Sequence, residues 1–144
     1  MKGVAGLRLL SAAVLALGIC GCLAVPGAKN PASLGNYTEP SRLATLLSDR
    51  TEPYFLVDVR TAAEYTDGHI PTATNIPYDQ IEAHPPTSDT AALVIVYCAS
   101  GGRSAKAAAS LAGLGYTRVV DFGGMFRWKG PLRKSTDPGE CPCR

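Results

Sequence analysis

The stretch that decides the fold is ALVIVYCASGGRS, residues 92–104. Residues 92–97 are apolar and rich in β-branched side chains, which predicts a strand buried on both faces of a parallel sheet. The two glycines that follow predict a tight turn, and the alanine-rich residues 104–114 predict a helix that Gly115 ends. Cys98 therefore follows a central strand directly, at the mouth of a short loop.

Shorter strand and helix signals lie on both sides of this stretch. Thr61 and Glu64 have the spacing of a capping box, which predicts a helix beginning at Thr61 and ending at Gly68. The other predicted elements are strands at residues 54–60 and 119–122, a short extended segment at residues 75–77, and helices at residues 40–48 and 125–129. Because strands alternate with helices through short loops, we expect an α/β domain with a mainly parallel sheet. Ligands bind such sheets at the carboxyl ends of the strands, where Cys98 lies.

The loop after Cys98 has the residue types of an anion-binding turn. Successive backbone N–H groups of a glycine-rich turn point inward, and the N-terminus of the following helix adds its positive dipole end. Such a cradle lowers the pKa of a thiol and prepares it for nucleophilic attack, and Arg103 adds a positive charge nearby. The alternative is a buried structural cysteine, which Gly101 and Gly102 argue against.

Several short motifs occur in order across residues 41–130 and together resemble the single-domain rhodanese family. They are Val57-Asp58-Val59-Arg60, Glu64-Tyr65, Gly68-His69-Ile70-Pro71, Asn75-Ile76-Pro77, Val96-Tyr97-Cys98 with Gly101, Arg103 and Ser104, and Gly123-Gly124 with Trp128. The resemblance implies a rhodanese-like α/β fold with a central, mainly parallel five-stranded sheet flanked by helices.

The resemblance also implies a thiosulfate sulfurtransferase activity in two steps. Cys98, the catalytic nucleophile, takes a sulfane sulfur from thiosulfate or a persulfide, and a thiol or cyanide then removes it. The implied substrate-binding residues are those of the loop: Ala99, Ser100, Gly101, Gly102, Arg103 and Ser104. No cofactor is implied, and no set of side chains has metal-ligand spacing.

The sequence is also compatible with two other functions. Phosphatases and arsenate reductases of this fold separate the cysteine and the arginine by five residues, whereas four separate Cys98 from Arg103. The shorter loop suits a sulfur atom better than a phosphate. The second alternative is a non-catalytic sulfur carrier or protein-docking module, which has less need of a thiol at this position.

Other polar residues of the motifs are expected to be structural. Asp58, Arg60 and Glu64 resemble a family motif that pins loops through ion pairs. His69 resembles a general base, but its Gly-His-Ile-Pro context predicts a hydrogen-bonded turn. Arg103 either contacts substrate or braces the loop.

The N-terminus has the pattern of an export signal. Positive residues precede an apolar run, and small residues follow near Gly21, so residues 1–22 are predicted to be a signal peptide. Its end resembles a lipoprotein lipobox with Cys22 as the lipidated residue, which predicts a periplasmic or cell-envelope protein attached to a membrane by acyl chains. A simply cleaved signal and an uncleaved anchor are the alternatives.

The remaining chain divides into a linker at residues 23–38, a rhodanese domain at 39–130 and a flexible tail at 131–144. Without Lys2 and Arg8 the chain has 12 basic and 12 acidic residues, so no nucleic-acid partner is expected, and a monomer is predicted. Cys141 and Cys143 in the tail either accept or resolve the sulfur of Cys98 or have no role in it.

Overall fold

The computed structural model describes residues 37–134, in which strands and helices alternate. The helices are α1 (Pro40–Asp49), α2 (Ala62–Asp67) and α3 (Gly102–Gly113), the strands are β1 (Tyr54–Asp58), β2 (Thr74–Asn75), β3 (Leu93–Cys98) and β4 (Val119–Gly124), and a 3-10 turn covers Met125–Arg127. All strand pairs are parallel, in the order β2–β1–β3–β4. The predicted α/β class with a parallel sheet flanked by helices is therefore confirmed.

The most apolar strand of the chain lies inside the sheet, as its composition predicts. All six residues of β3 are buried, with β1 on one side and β4 on the other. A register shift between Val96 and Tyr97 lets β4 bulge, so that Tyr97 pairs with Gly123 and Cys98 with Gly124. This pairing places the Gly-Gly motif beside the cysteine.

The sheet has four strands within residues 37–134, where the family resemblance implied five. The residue patterns predicted β1, β3 and β4 as strands, and β2 lies at the start of the segment that they predicted to be extended. The remaining strand-like contact in this range is a single antiparallel bridge between His69 and Arg133, which is one residue pair and too short to form a strand.

Apolar side chains cover both faces of the sheet. Helices α1 and α2 pack on one face, where the core includes Leu43, Leu46, Tyr65, Ile95, Tyr97 and Phe122. Helix α3 packs on the other face, where Ala107 and Leu111 meet Val94, Val96 and Cys98. Because residues alternate between faces along a strand, Tyr97 and Cys98 point to opposite sides.

Most predicted boundaries differ from the structure by one or two residues, and two of these differences lie at helices. Helix α3 begins at Gly102 rather than Ser104, because Gly101 adopts a left-handed φ of 108° and ends the loop two residues earlier than a serine cap would. The final helical piece is the short 3-10 turn at Met125–Arg127 rather than a helix to residue 129.

The start of the predicted flexible tail is attached to the domain. His69 N–H donates to the Arg133 carbonyl and Arg133 N–H donates to the His69 carbonyl, both at 2.9 Å. These backbone hydrogen bonds correct the prediction for residues 131–134, whose composition carries no signal for such a distant pairing. The predicted signal peptide, almost all of the linker and the rest of the tail lie outside the described residues.

Candidate active site

Cys98 ends β3 with its side chain fully buried on the α3 face. The carboxyl ends of β1 and β4 flank it, because these strands are the two neighbours of β3. The thiol therefore lies under the first turn of α3 at the edge of the sheet that usually holds ligands. This is the position that the sequence predicted.

A backbone amide of the loop points at the sulfur. Gly101 N–H donates to Cys98 Sγ at a nitrogen-to-sulfur distance of 3.0 Å. The left-handed φ of 108° at Gly101 produces this orientation, and a residue with a Cβ adopts such a conformation only under strain. Glycine at this position thus turns the chain so that an amide faces the thiol.

Ser104, one turn into α3, completes the contacts of the sulfur. Its hydroxyl is buried and donates to the Gly101 carbonyl at 2.9 Å. The Cys98 thiol donates to the Ser104 Oγ at 3.7 Å. Ser104 therefore holds the loop closed from the helix side while it contacts the nucleophile.

These contacts decide the acidity of Cys98. Burial raises the pKa of the thiol, but the N–H groups of Ser104, Gly101 and Ser100 and the Ser104 hydroxyl lower it. The second set prevails, so the pKa of Cys98 lies below that of an ordinary cysteine. Amides at a helix N-terminus favour a charged sulfur over a neutral one. The hydrogen bonds of this turn therefore favour the thiolate form of Cys98.

Arg103 does not face the sulfur in this structure. Its two terminal nitrogens each lie 2.7 Å from a different oxygen of Glu64. Of the two roles considered for Arg103, the geometry matches bracing of the loop. The Arg103 hydrogen bond also lowers the pKa of Glu64 to about 2, so this pair stays charged at any physiological pH.

The rest of the predicted substrate-binding loop is exposed and uncharged. Ala99, Ser100 and Gly102 form its outer rim, and none of them carries an ionisable side chain. The groups that this rim offers to a bound molecule are therefore its backbone amides and the Ser100 hydroxyl.

The buried charged residues form a structural cluster below the site. Arg60 Nη2 lies 2.6 Å from Asp58 and donates to the Gly68 carbonyl at 2.7 Å, and both side chains are almost fully buried. The ion pairs predicted for Asp58, Arg60 and Glu64 are thus confirmed. Burial first, and then the charge of Asp58, raises the pKa of Tyr97 far above its usual value, which keeps this phenol protonated.

His69 also has a structural environment. It is buried, its ring stacks on Tyr65 with centroids 3.7 Å apart, and its Nδ1 lies 2.9 Å from the Tyr65 carbonyl. This is the hydrogen-bonded turn that the sequence predicted. A general base for Cys98 is therefore not found at His69.

Phe126 is the residue at the loop that the sequence analysis did not single out. Its ring is exposed and lies against Gly124, the strand partner of Cys98. The Gly-Gly motif at the end of β4 was visible in the sequence, but its position next to Cys98 depends on strand order. An apolar residue two positions after that motif was the one available signal.

Other features of the described part of the chain lie apart from Cys98. A pocket of about 240 Å³ lies between the β1–β2 edge and residues 84–86, and none of its lining residues belongs to the loop. Within residues 37–134 no helix has the length and apolarity needed to cross a membrane, and no three His, Cys, Asp or Glu side chains cluster as a metal site would require. Cys22, Cys141 and Cys143 lie outside these residues.

Known proteins resemble the chain across this whole region. Residues 39–131 match the family model of the rhodanese-like domain. Over 94 residues the chain is 38% identical to a sulfurtransferase of Allochromatium vinosum, covering 65% of this chain and 87% of that protein. It is 35% identical over 94 residues to the thiosulfate sulfurtransferase GlpE of Pseudomonas entomophila, covering 65% and 83%. A rhodanese-like domain protein from Staphylococcus aureus has a similar crystal structure, with a TM-score of 0.58 at 33% identity, covering 67% and 94%.

Proposed function

Because this chain belongs to the rhodanese-like domain family, we propose that it is a thiosulfate sulfurtransferase that carries sulfane sulfur on Cys98. The observation that carries the proposal is the Gly101 N–H held 3.0 Å from Cys98 Sγ at the N-terminus of α3. An amide in this position stabilises a thiolate before the reaction. The adjacent N–H groups of the same turn are available to a persulfide sulfur after it.

The first step loads the cysteine. The Cys98 thiolate attacks the outer sulfur of thiosulfate, a new sulfur–sulfur bond forms, and the bond within thiosulfate breaks. Sulfite leaves with the electron pair, and the enzyme keeps a persulfide with a terminal negative charge. With a persulfide donor the leaving group is the corresponding thiolate.

The second step transfers the sulfur from Cys98 to an acceptor. The acceptor, a thiolate or cyanide, attacks the terminal sulfur of the persulfide, and the sulfur–sulfur bond to Cys98 breaks. The products are a new persulfide or thiocyanate, and the Cys98 thiolate is regenerated. The lowered pKa of Cys98 helps this step as well, because a more acidic thiol is a better leaving group.

Mass spectrometry of the intact protein after incubation with thiosulfate tests the loading step. We expect a gain of one sulfur atom that peptide mapping assigns to Cys98, and no gain in Cys98→Ser. Addition of cyanide should remove the sulfur and release thiocyanate. A folded protein that gains no sulfur contradicts the proposal for this donor, and a loaded protein that releases sulfur only to another protein identifies a carrier.

We also propose that the domain is exported, attached to a membrane through a lipid on Cys22, and monomeric. The support for export and lipidation is the order of charge, apolar run and small residues before Cys22. Metabolic labelling with a fatty-acid precursor should label the protein, and Cys22→Ala should lose the label while Cys20→Ala keeps it. Light scattering of the domain released from the anchor tests for the monomer.

A further inference from the structure

An exposed aromatic ring stands at the edge of the Cys98 loop. Phe126 is 69% exposed, the largest exposure among the large apolar residues described. Its ring fills the space beside Gly124, where an added Cβ would clash with the ring and lie 2.9 Å from the Ala99 carbonyl oxygen. The ring, the Gly124 backbone and the residue after Cys98 therefore meet at one place.

Strand pairing puts this ring on the same side as the thiol. Cys98 and Gly124 are register partners on adjacent strands, and paired residues project to the same face of a sheet. Because Gly124 has no side chain, the space next to the Cys98 side chain is open to the Phe126 ring. Gly124 is thus the position that admits an aromatic group to the mouth of the loop.

The cationic side chains near this mouth are engaged by other groups, and the nearest to Phe126 in sequence after Arg127 is Lys129, whose ammonium donates to the Phe126 carbonyl at 3.3 Å. Arg103 is held in two hydrogen bonds by Glu64. Arg127, next to Phe126, donates to the Phe122 carbonyl at 3.0 Å and lies over the Phe122 ring, so it is engaged with β4. The loop itself carries only small neutral side chains at its rim. The most extensive side-chain surface there is the Phe126 ring.

We propose that Phe126 is a specificity-determining residue that selects acceptor thiols carrying an aliphatic or aromatic body. This proposal rests on the proposed sulfur transfer. When such a thiolate attacks the terminal sulfur of the Cys98 persulfide, its apolar group packs on the exposed ring and loses contact with water. A small hydrophilic acceptor gains nothing from the ring, so the ring separates the two classes.

Acceptor preference tests the proposal directly. We expect the wild-type protein, loaded with thiosulfate, to transfer sulfur to 2-phenylethanethiol with a higher kcat/KM than to 2-mercaptoethanol. Phe126→Ala should reduce this ratio about 2- to 10-fold, the range that one aromatic contact gives, and Phe126→Leu should give an intermediate ratio. Leu114→Ala is the matched control, because Leu114 is 43% exposed at the opposite end of α3.

Alkylation of Cys98 gives a second readout that does not need sulfur transfer. The rate with N-benzyl iodoacetamide divided by the rate with iodoacetamide reports an apolar contact at the entrance to the thiol. A lower ratio in Phe126→Ala than in the wild type and Leu114→Ala supports the placement of the ring even if no persulfide forms. An unchanged alkylation ratio, or transfer with an unchanged acceptor ratio, overturns the proposal.

Discussion

Arg103 and Glu64 join the first turns of two helices on either side of the Cys98 loop. The guanidinium and the carboxylate meet through two contacts of 2.7 Å, although the residues are 39 positions apart in sequence. The same carboxylate accepts hydrogen bonds from the backbone N–H and the hydroxyl of Thr61, which caps α2. The Glu64 side chain thus caps the N-terminus of α2 and fixes the loop that surrounds the nucleophile.

The Glu64–Arg103 pair predicts a specific dependence of stability on pH. The pKa of Glu64 is lowered from 4.5 to about 2 in the folded protein. The unfolded chain therefore binds the proton first as pH falls, so the contribution of Glu64 is complete above pH 4.5 and is lost between 4.5 and about 2. Urea unfolding of wild type and Glu64→Gln should give a difference that is constant at neutral pH and shrinks in this acidic window.

The difference in unfolding free energy between wild type and Glu64→Gln is small, because the Glu64 and Arg103 side chains are both about one-third exposed. A pair of this exposure contributes at most about 1 kcal/mol. Glu82→Gln neutralises a carboxylate that contacts Ser110 further along α3 and serves as the control. A Glu64→Gln difference that persists undiminished at the acidic end would contradict the ion-pair interpretation.

Ser104 is predicted to lower the pKa of Cys98 by less than the backbone amides do. Its Oγ lies 3.7 Å from the sulfur, against 3.0 Å for the Gly101 nitrogen. The rate of Cys98 alkylation by iodoacetamide should rise with pH to a plateau, and Ser104→Ala should move the midpoint upward but leave it below that of an ordinary cysteine, because the amides remain. A midpoint at or above that of an ordinary cysteine in Ser104→Ala would make the hydroxyl, rather than the amides, the main stabiliser of the thiolate.

The Ser104→Ala variant also loses the hydrogen bond from the Ser104 hydroxyl to the Gly101 carbonyl, which costs about 1 kcal/mol in the free energy of unfolding. Ser110→Ala changes a half-buried serine on the same helix, whose hydroxyl donates to Glu82 rather than to the Cys98 loop, and it controls for helix propensity. Thermal unfolding beside the alkylation profile therefore separates the two effects, because only Ser104→Ala should move the midpoint of the profile.

Much of this site was predictable from local patterns. The apolar run of residues 92–97 placed a central strand before Cys98, and the spacing of Thr61 and Glu64 predicted the capping box that the structure contains. Both signals lie within a few residues of their effects, because strand alternation and helix caps are short-range features.

The parts that could not be predicted all depend on contacts between distant segments. The partner of Arg103 lies on α2, and Gly124 reaches Cys98 only because β4 is the neighbour of β3. Ser104 has the residue type of a helix cap, but its hydroxyl bonds back to the Gly101 carbonyl inside the helix. The residue type limits the kinds of group that a side chain can bind, but the tertiary structure determines which partner lies within reach.

Removal of Asp58 is predicted to be strongly destabilising. Its carboxylate is fully buried and holds Arg60 through contacts from 2.6 to 3.1 Å. Asp58→Ala leaves a buried guanidinium unpaired, which costs about 3–5 kcal/mol in the free energy of unfolding. Urea denaturation measures this loss, and we expect Asp58→Ala combined with Arg60→Met to recover part of it. A double variant less stable than the single one would show that Arg60 has other stabilising contacts that outweigh the unpaired charge.

Gly124 is predicted to tolerate no side chain, for a reason specific to the loop. A Cβ at this position clashes with the Phe126 ring and lies 2.9 Å from the Ala99 carbonyl oxygen. The exposed ring of Phe126 can move, but the carbonyl belongs to the backbone next to Cys98.

Gly124→Ala should therefore lower the rate of Cys98 alkylation and of sulfur loading by displacing the loop, and Gly124→Ala with Phe126→Ala should restore only part of the loss. Gly113→Ala is the matched control, since a Cβ there meets nothing within 4 Å and the position is helical, at the end of α3 far from Cys98. We expect that control to gain up to about 1 kcal/mol of stability from the better helix propensity of alanine. If the double variant recovers wild-type rates, the clash lies with the ring alone, and the Ala99 carbonyl does not restrict this position.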